Sequence, residues 1–231
     1  MAITYLSGQR IQGIGGSSLG SSADGSNTDA VVNSTTAING NNSLYFDGSS
    51  AFLNLDGIVS SVKGASSISF WLKKATGGGN NFTFGDTNAE EALVMKVDTK
   101  MLVNQYVDSF SENWEVTTST NSTNDTLWHH VVLTFDGDST IHLYLDGAED
   151  ETWADGSAGS TSDWVSTNMD NCRVGCNNNG NDGNEDFFDG YMQDIGIWNR
   201  AITSDDVITL FNGYNPSDTT TIITNEDGTI T

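Results

Sequence analysis

The chain of 231 residues is 36% apolar and contains ten Phe, six Trp and six Tyr, enough to fill the core of one large all-β domain. Its 31 acidic side chains against 8 basic ones give a formal net charge of -23. This balance excludes the basic surface that binding to nucleic acid requires and disfavours anionic membranes. No stretch reaches the ~20 apolar residues that span a bilayer, so membrane insertion is not expected.

The two ends of the chain differ in composition from the middle. Residues 1–22 combine short β-type runs with the linker-like GIGGSSLGSS and predict an N-terminal arm and linker. TTTIITNEDGTIT predicts a strand-like tail over 217–231, which leaves 23–216 as the domain. Two interpretations of the ends stay open. Either they pair with each other or with a neighbouring subunit, giving a homo-oligomer or larger assembly, or they are disordered.

Short β-type runs separated by turn residues fill the first half of the domain. They are SLYFD (43–47), SAFLNL (50–55), SSISFWLKK (66–74), NFTFG (81–85), EALVMKV (91–97) and KMLVNQYVD (100–108). Such spacing is typical of a β-sandwich or jelly roll.

Residues 128–147, WHHVVLTFDGDSTIHLYLDG, predict a β-hairpin with a Gly-containing loop. Alternation places His129 on the same face as Val131 and Leu133, and His130 on the opposite face. Two adjacent strand residues cannot ligate one ion, so we predict structural roles for the histidines. The alternative is a single His that acts with distant partners.

Residues 171–176, NCRVGC, predict another strand. In an extended chain the Cα atoms of Cys172 and Cys176 lie roughly 13 Å apart, too far for a disulfide, so both are predicted to be free thiols. A single C-x3-C pair is also not a zinc signature.

The last part of the domain predicts one strand and one helix. DGYMQDIGIWN (189–199) is β-type, and TSDDVITLFNG follows it with helical signals. Thr203 is placed to cap the helix and Gly213 to end it. The predicted buried stripe consists of Val207, Leu210 and Phe211.

Several of these segments, taken in order, resemble a known family. SLYFDGSSAFLNL, SISFWLKK, the hairpin and FFDGYMQDIGIWNRAITSDDVITLFNGY are similar to the laminin-G-like, pentraxin-like branch of the concanavalin A-like lectin/glucanase superfamily. The resemblance covers roughly residues 40 to 215. It implies an all-β fold, a two-sheet antiparallel jelly-roll sandwich with one short C-terminal helix. Domains of this kind mostly bind glycans or proteins, often with calcium at a rim.

Two acidic loops match the positions at which pentraxin-like domains hold Ca2+. The ion takes carboxylate, amide and carbonyl oxygens, which both loops supply. The candidate ligands are Asp86, Asn88 and Glu90 in the first loop, and Asn177, Asp182, Glu185 and Asp186 in the second. The alternative is a pair of solvated loops that bind no ion.

Sugar binding needs an exposed aromatic ring that stacks on the apolar side of a pyranose. Three tryptophans sit among polar residues and are the candidate ligand-binding platforms: Trp114, Trp153 and Trp164. For each of them, a lid over the edge of the sandwich is the alternative.

Catalysis is not predicted. A retaining glycosidase needs two carboxyl groups about 5 Å apart. Glu149, Asp150 and Glu151 are consecutive, at a predicted turn, and the adjacent pairs 90–91 and 185–186 fit no better. We therefore predict a recognition module that binds a glycan or a surface protein, extracellular or on a virion surface. The alternatives are a purely structural component of a virion or cell surface, which the absence of a visible secretion signal favours, and a glycoside hydrolase of the same fold.

Overall fold

The computed structural model describes residues 26–33, 35–38, 42–75, 79–86, 91–98, 100–107, 111–117, 123, 125–137, 140–154, 168–178 and 183–214. The predicted arm (1–22) and tail (217–231) lie outside these residues. The domain boundaries and the role of the two ends therefore stay predictions.

Short strands make up most of the described chain. In chain order they are β1 (Ser26–Thr28), β2 (Val31–Asn33), β3 (Ser43–Asp47), β4 (Phe52–Asn54), β5 (Ser66–Lys74), β6 (Gly79–Gly85), β7 (Ala92–Val97), β8 (Met101–Val107), β9 (Ser111–Thr117), β10 (His129–Phe135), β11 (Thr140–Leu145), β12 (Ala148–Ala154), β13 (Asn171–Val174), β14 (Asn177–Asn178), β15 (Asn184–Glu185) and β16 (Asp189–Trp198). A 3-10 helix covers Asp56–Ser61, and the α-helix α1 covers Ser204–Tyr214. Within the described chain, no helix has the length and apolar character needed to cross a bilayer.

The strands form two antiparallel sheets. The order in the first sheet is β1-β4-β13-β6-β7-β8-β9, and in the second it is β12-β11-β10-β5-β16-β3-β2. From β3 to β6 the chain crosses from one sheet to the other at every connection, as in a jelly roll. The small hairpin of β14 and β15 is separate from both sheets. The predicted two-sheet sandwich is confirmed.

The main core lies between the two sheets and contains alternate residues of both. Phe46 and Phe70 from the second sheet meet Phe82 and Leu93 from the first, and each of these side chains is at most 1% exposed. Burying a side chain of this size contributes about 1.5–3 kcal/mol. The hairpin follows the predicted alternation, because Val131, Leu133 and Phe135 are all in this core.

Helix α1 covers part of the outer face of the second sheet. Thr203 caps it as predicted, since its Oγ1 accepts the N–H of Asp206 at 3.2 Å while Asp206 Oδ2 accepts the N–H of Thr203 at 3.0 Å. A second apolar cluster lies beneath the helix: Val132, Tyr144, Trp198, Ile202, Val207 and Leu210. The middle of β10 is therefore buried on both faces. The helix ends at Tyr214, one residue beyond the predicted end.

The sequence prediction missed six strands: β1, β2, β9, β12, β14 and β15. The polar segments of β9 and β12 are the last strands of the two described sheets, where apolar alternation is not required. The prediction that Glu149, Asp150 and Glu151 form a turn is wrong, because these residues lie within β12, where Glu149 and Glu151 pair with β11 and Asp150 lies at a bulge between them. The strand predicted for 171–176 stops at Val174.

Candidate functional site

A polar cleft opens at the rim where the two sheets meet. Its volume is about 560 Å³, and its lining comes from four parts of the chain: Gly48, Ser49, Gly79, Lys96, Asp98, Asp186 and Phe187. Gly48 and Ser49 follow β3 of the second sheet, whereas Lys96 and Asp98 belong to the end of β7 in the first. We call this space the rim cleft.

Asp47 fixes the turn that forms one wall of the rim cleft. Its Oδ1 accepts the backbone N–H groups of Ser50, Ala51 and Ser49 at 2.8, 3.0 and 2.9 Å. These hydrogen bonds hold the pKa of Asp47 well below its usual range, so the carboxylate stays charged. The N–H of Gly48 donates to the carbonyl of Phe188 at 3.0 Å, which ties the turn to the opposite wall.

Close backbone packing sets the position of Phe187. A Cβ added to Gly79 would lie 2.6 Å from the carbonyl oxygen of Phe187 and 2.7 Å from Cα of Phe188. Only glycine permits this approach, so the start of β6 presses directly against the segment that carries the aromatic ring. Phe188 is fully buried while Phe187 is half-buried in the cleft wall.

The rim cleft combines the groups that recognise a sugar. Phe187 is a half-buried aromatic residue of the lining, Lys96 is a hydrogen-bond donor, and Asp98 and Asp186 are exposed acceptors. Lys74 Nζ donates to the backbone carbonyl of Asp98 at 2.8 Å and so anchors that side of the cleft. Such a mixture of one apolar face and several polar groups is typical of small-ligand sites.

A second polar region lies where the β14–β15 hairpin covers the far end of β6. Thr83 Oγ1 donates to the carbonyl of Cys176 at 3.2 Å, which fixes the hairpin against the outer face of the first sheet. A Cβ on Gly85 would lie 2.2 Å from the carbonyl oxygen of Asn178 and 3.2 Å from the amide atoms of Asn171. The Asn178 carbonyl oxygen therefore packs directly over Gly85 beside the Asn171 side-chain amide, a region that we call the Gly85 cradle.

Sequence comparison identifies the family. A model of the laminin G type, described as the concanavalin A-like lectin/glucanases superfamily, matches residues 47–208. The chain belongs to this superfamily. No curated protein matches the sequence.

Solved structures share the fold of this superfamily domain at low sequence identity. The CBM40 of a Ruminococcus gnavus IT-sialidase, bound to alpha2,3 sialyllactose, is 11% identical, with a TM-score of 0.61 over 73% of this chain and 96% of that one. Domain 4 of an extracellular arabinanase from Geobacillus stearothermophilus, in complex with arabinotriose, is 15% identical, with a TM-score of 0.57 over 81% and 87%. The receptor binding domain of a botulinum neurotoxin C/D mosaic serotype is 14% identical, with a TM-score of 0.63 over 89% of this chain and 51% of that one.

The predicted calcium ligands of the superfamily domain fall at two separate places. Asp86 follows Gly85 at one end of β6 and is 7% exposed, whereas Asp186 lines the rim cleft beside Gly79 at the other end. Six residues of strand separate these ends by about 20 Å, so Asp86 and Asp186 cannot bind one ion.

The hairpin holds two further predicted ligands. Asn177 is 7% exposed, and its Nδ2 donates to Glu185 Oε1 at 3.2 Å. Asn88, Glu90 and Asp182 lie outside the described residues. In the part of the chain that the structure describes, no group of three or more His, Cys, Asp and Glu side chains is arranged to hold a metal.

The predicted tryptophan platforms are distributed over different parts of the superfamily domain. Trp114 lies in β9 opposite Gln105, and Trp153 lies in β12 opposite Ile141. Trp164 lies outside the described residues. The ligand-binding role of all three stays a prediction.

Sequence reasoning missed most of the rim cleft of the superfamily domain. The sequence predicts Asp186 as a calcium ligand and does not favour it as a catalytic carboxyl group, and it does not predict Lys96, Asp98 or Phe187 as ligand-binding residues. The one local signal was Phe187–Phe188, because two adjacent aromatic residues before a strand cannot both face the core.

The two histidines at the start of β10 have structural environments, as predicted. Both nitrogens of His129 face carboxylates, with Nδ1 2.8 Å from Asp146 Oδ2 and Nε2 2.9 Å from Asp125 Oδ1. His130 is 1% exposed, and its Nε2 lies 2.9 Å from Ser69 Oγ.

Cys172 and Cys176 are both buried free thiols, also as predicted. Burial raises the pKa of Cys176 to about 12, so this thiol is not a nucleophile at neutral pH.

Proposed function

We propose that this domain is a non-catalytic recognition module that binds a glycan in the rim cleft. The observation that carries the proposal is the partly exposed ring of Phe187 beside Lys96, Asp98 and Asp186 in one cleft. The half-buried ring can stack on the apolar face of a sugar while the charged groups bond its hydroxyls. The structural neighbours crystallised with arabinotriose and sialyllactose support a glycan as the ligand.

We further propose an extracellular setting for the domain. Its support is the neighbour from an extracellular arabinanase and the strongly acidic composition, which disfavours nucleic acid. A receptor-binding neighbour also supports recognition of a surface partner.

Truncating the cleft aromatic tests the proposed function. Phe187→Ala is expected to weaken binding on a glycan array by about tenfold, because loss of stacking removes about 0.5–1.5 kcal/mol beyond the lost contact area. Phe187→Tyr keeps the ring and is expected to retain binding, and equal thermal stability of the two variants controls for folding. Absence of binding to any glycan by the unmodified chain would overturn the proposal.

We also propose that calcium binds at the Gly85 cradle. The residues there fit the ion, because calcium accepts carbonyl, amide and carboxylate oxygens together. Both side-chain amide atoms of Asn171 and the Oδ1 of Asn177 are buried and have no hydrogen-bond partner among the described residues. The Asn178 carbonyl over Gly85 and the buried residue Asp86, which directly follows Gly85, are the further sources of oxygen ligands. A bound ion would supply positive charge that holds the hairpin on the sheet.

A calcium-dependent shift in melting temperature tests the cradle. Free calcium at a hundred times its Kd is expected to stabilise the fold by about 2.7 kcal/mol, which raises Tm by roughly 5–10 °C for a domain of this size. Asp86→Asn is expected to reduce the shift, whereas Asp205→Asn, at the exposed start of α1, is expected to keep it. An unchanged Tm with calcium and with chelator would contradict the site.

A further inference from the structure

The charges around the rim cleft favour uncharged ligands. Among the described residues, its lining contains the carboxylates of Asp98 and Asp186 and one ammonium group, that of Lys96. An ionised carboxylate only accepts hydrogen bonds, so it suits sugar hydroxyls, which donate them. A carboxylate on the ligand has no proton to offer and would meet like charge.

Charged residues next to the lining strengthen this preference for uncharged ligands. Asp47 precedes Gly48 directly, and Cγ of Asp189 lies 3.5 Å from the position that a Cβ on Gly48 would take. Lys74, held on the carbonyl of Asp98, adds the second nearby cation. Among the described residues near the cleft, four carboxylates (Asp47, Asp98, Asp186 and Asp189) therefore outnumber three lysines, which are Lys74, Lys96 and Lys100, the last of which accepts the backbone N–H of Asp98 with its carbonyl oxygen at 3.0 Å.

The ammonium groups of Lys74 and Lys96 are also poorly placed to bind an anionic ligand. The Nζ of Lys74 is engaged with a backbone carbonyl at 2.8 Å, and Lys96 shares the cleft with two acidic side chains. The two arginines whose contacts are described lie outside the cleft lining: Arg173 pairs with Asp56, and Arg200 pairs with Asp206. The bidentate guanidinium that commonly binds a sugar carboxylate is thus not part of the described lining. The net charge of -23 adds a repulsive field over the whole surface.

We infer that the rim cleft selects neutral glycans and rejects sialylated or uronic ones. The inference rests on the proposed glycan-binding function and narrows its ligand class. It separates this domain from the sialyllactose-bound neighbour, whose fold it shares at 11% identity. Selectivity of this kind comes from repulsion of the wrong ligand as much as from attraction of the right one.

A glycan array of matched pairs tests the inference, each pair being a neutral oligosaccharide and its sialylated or uronic derivative. At low ionic strength the neutral members are expected to bind at least about ten times more tightly, and the difference should shrink in 1 M salt, where the screening length falls to about 3 Å. Equal or tighter binding of the acidic members would overturn the inference and leave the proposed function standing. Binding of no glycan would overturn the proposed function itself.

Charge-removing variants locate the selectivity in the cleft. The double variant Asp98→Asn with Asp186→Asn is expected to narrow the preference for neutral glycans severalfold. Asparagine is well matched to the Asp186 backbone, whose φ of 49° is a conformation that asparagine adopts readily. Asp205→Asn removes one charge far from the cleft and is expected to leave the preference unchanged. An unchanged preference in the cleft double variant would contradict the inference.

Discussion

Asp56→Ala is expected to lower the free energy of unfolding by about 2–3 kcal/mol, because it leaves the buried guanidinium of Arg173 without its counter-ion. Arg173 is 8% exposed, and its Nη1 donates to Asp56 Oδ1. The same carboxylate oxygen accepts the backbone N–H of Cys172 at 2.8 Å. The expected loss is smaller than for a fully buried ion pair because the side chain of Asp56 is 41% exposed to solvent.

Urea unfolding of three variants separates the ion pair from simple packing. Arg173→Met replaces the guanidinium, whose Cζ lies 5.8 Å from the centroid of the Phe52 ring, with an uncharged apolar side chain, so it is expected to cost less than about 1.5 kcal/mol. The double variant Asp56→Ala with Arg173→Met is expected to recover part of the stability lost in Asp56→Ala, since no unpaired charge is then buried. If Asp56→Ala cost no more than Arg173→Met, the stranded-charge explanation would be wrong.

The second large effect is an acid sensitivity that originates at His130. This ring packs against Trp71 and Phe211 with centroid separations of 5.0 and 6.1 Å. Burial lowers the pKa of His130 to about 3. Below about pH 6.5 the unfolded chain therefore binds a proton at His130, whereas the folded state does not. The free energy of unfolding falls as the pH drops from there, by up to about 1.4 kcal/mol per pH unit.

His129 acts in the opposite direction. Burial disfavours its charged form, but hydrogen bonds to Asp146 and Asp125 outweigh this and raise the pKa of His129 above its ordinary value. A neutral imidazole has one N–H and cannot donate to both carboxylates, whereas the imidazolium can. Its stabilising contribution is present below about pH 6.5 and is lost as pH rises through the raised folded pKa.

Thermal or urea unfolding between pH 4.5 and 8.5 distinguishes the two histidines. His130→Gln is expected to flatten the fall in stability towards acid, while His129→Gln is expected to destabilise by about 1–2 kcal/mol at pH 5.5 and by less at pH 8.5. His142→Gln, which removes a partly exposed pair with Glu149, is expected to change stability by less than about 1 kcal/mol. An acid response that survives His130→Gln would place its origin elsewhere.

Local sequence determined most of the regular structure. In β3, β5 and β10 the predicted and observed bounds agree to within one residue, because these strands lie next to the core and must alternate or be continuously apolar. The helix cap at Thr203 was also predictable from the sequence, because a hydroxyl three residues before Asp206 can accept one of the free N–H groups of the first turn. The strand predicted across 171–176 stopped early because Gly175 turns the chain, with a φ of 93°.

Only the tertiary structure decided where the chemistry lies. The rim cleft joins Ser49, Lys96 and Phe187, and nothing in the local pattern around any of them indicates the other two. Their meeting depends on the chain crossing between sheets, which places the turn after β3 beside the start of β6 and the segment before β16. The same holds for the Gly85 cradle, where a missing side chain leaves space for oxygen atoms from a distant hairpin. Alternation specifies which face of a strand is buried, but the partner strand and the sheet order are set by long-range packing of the whole core.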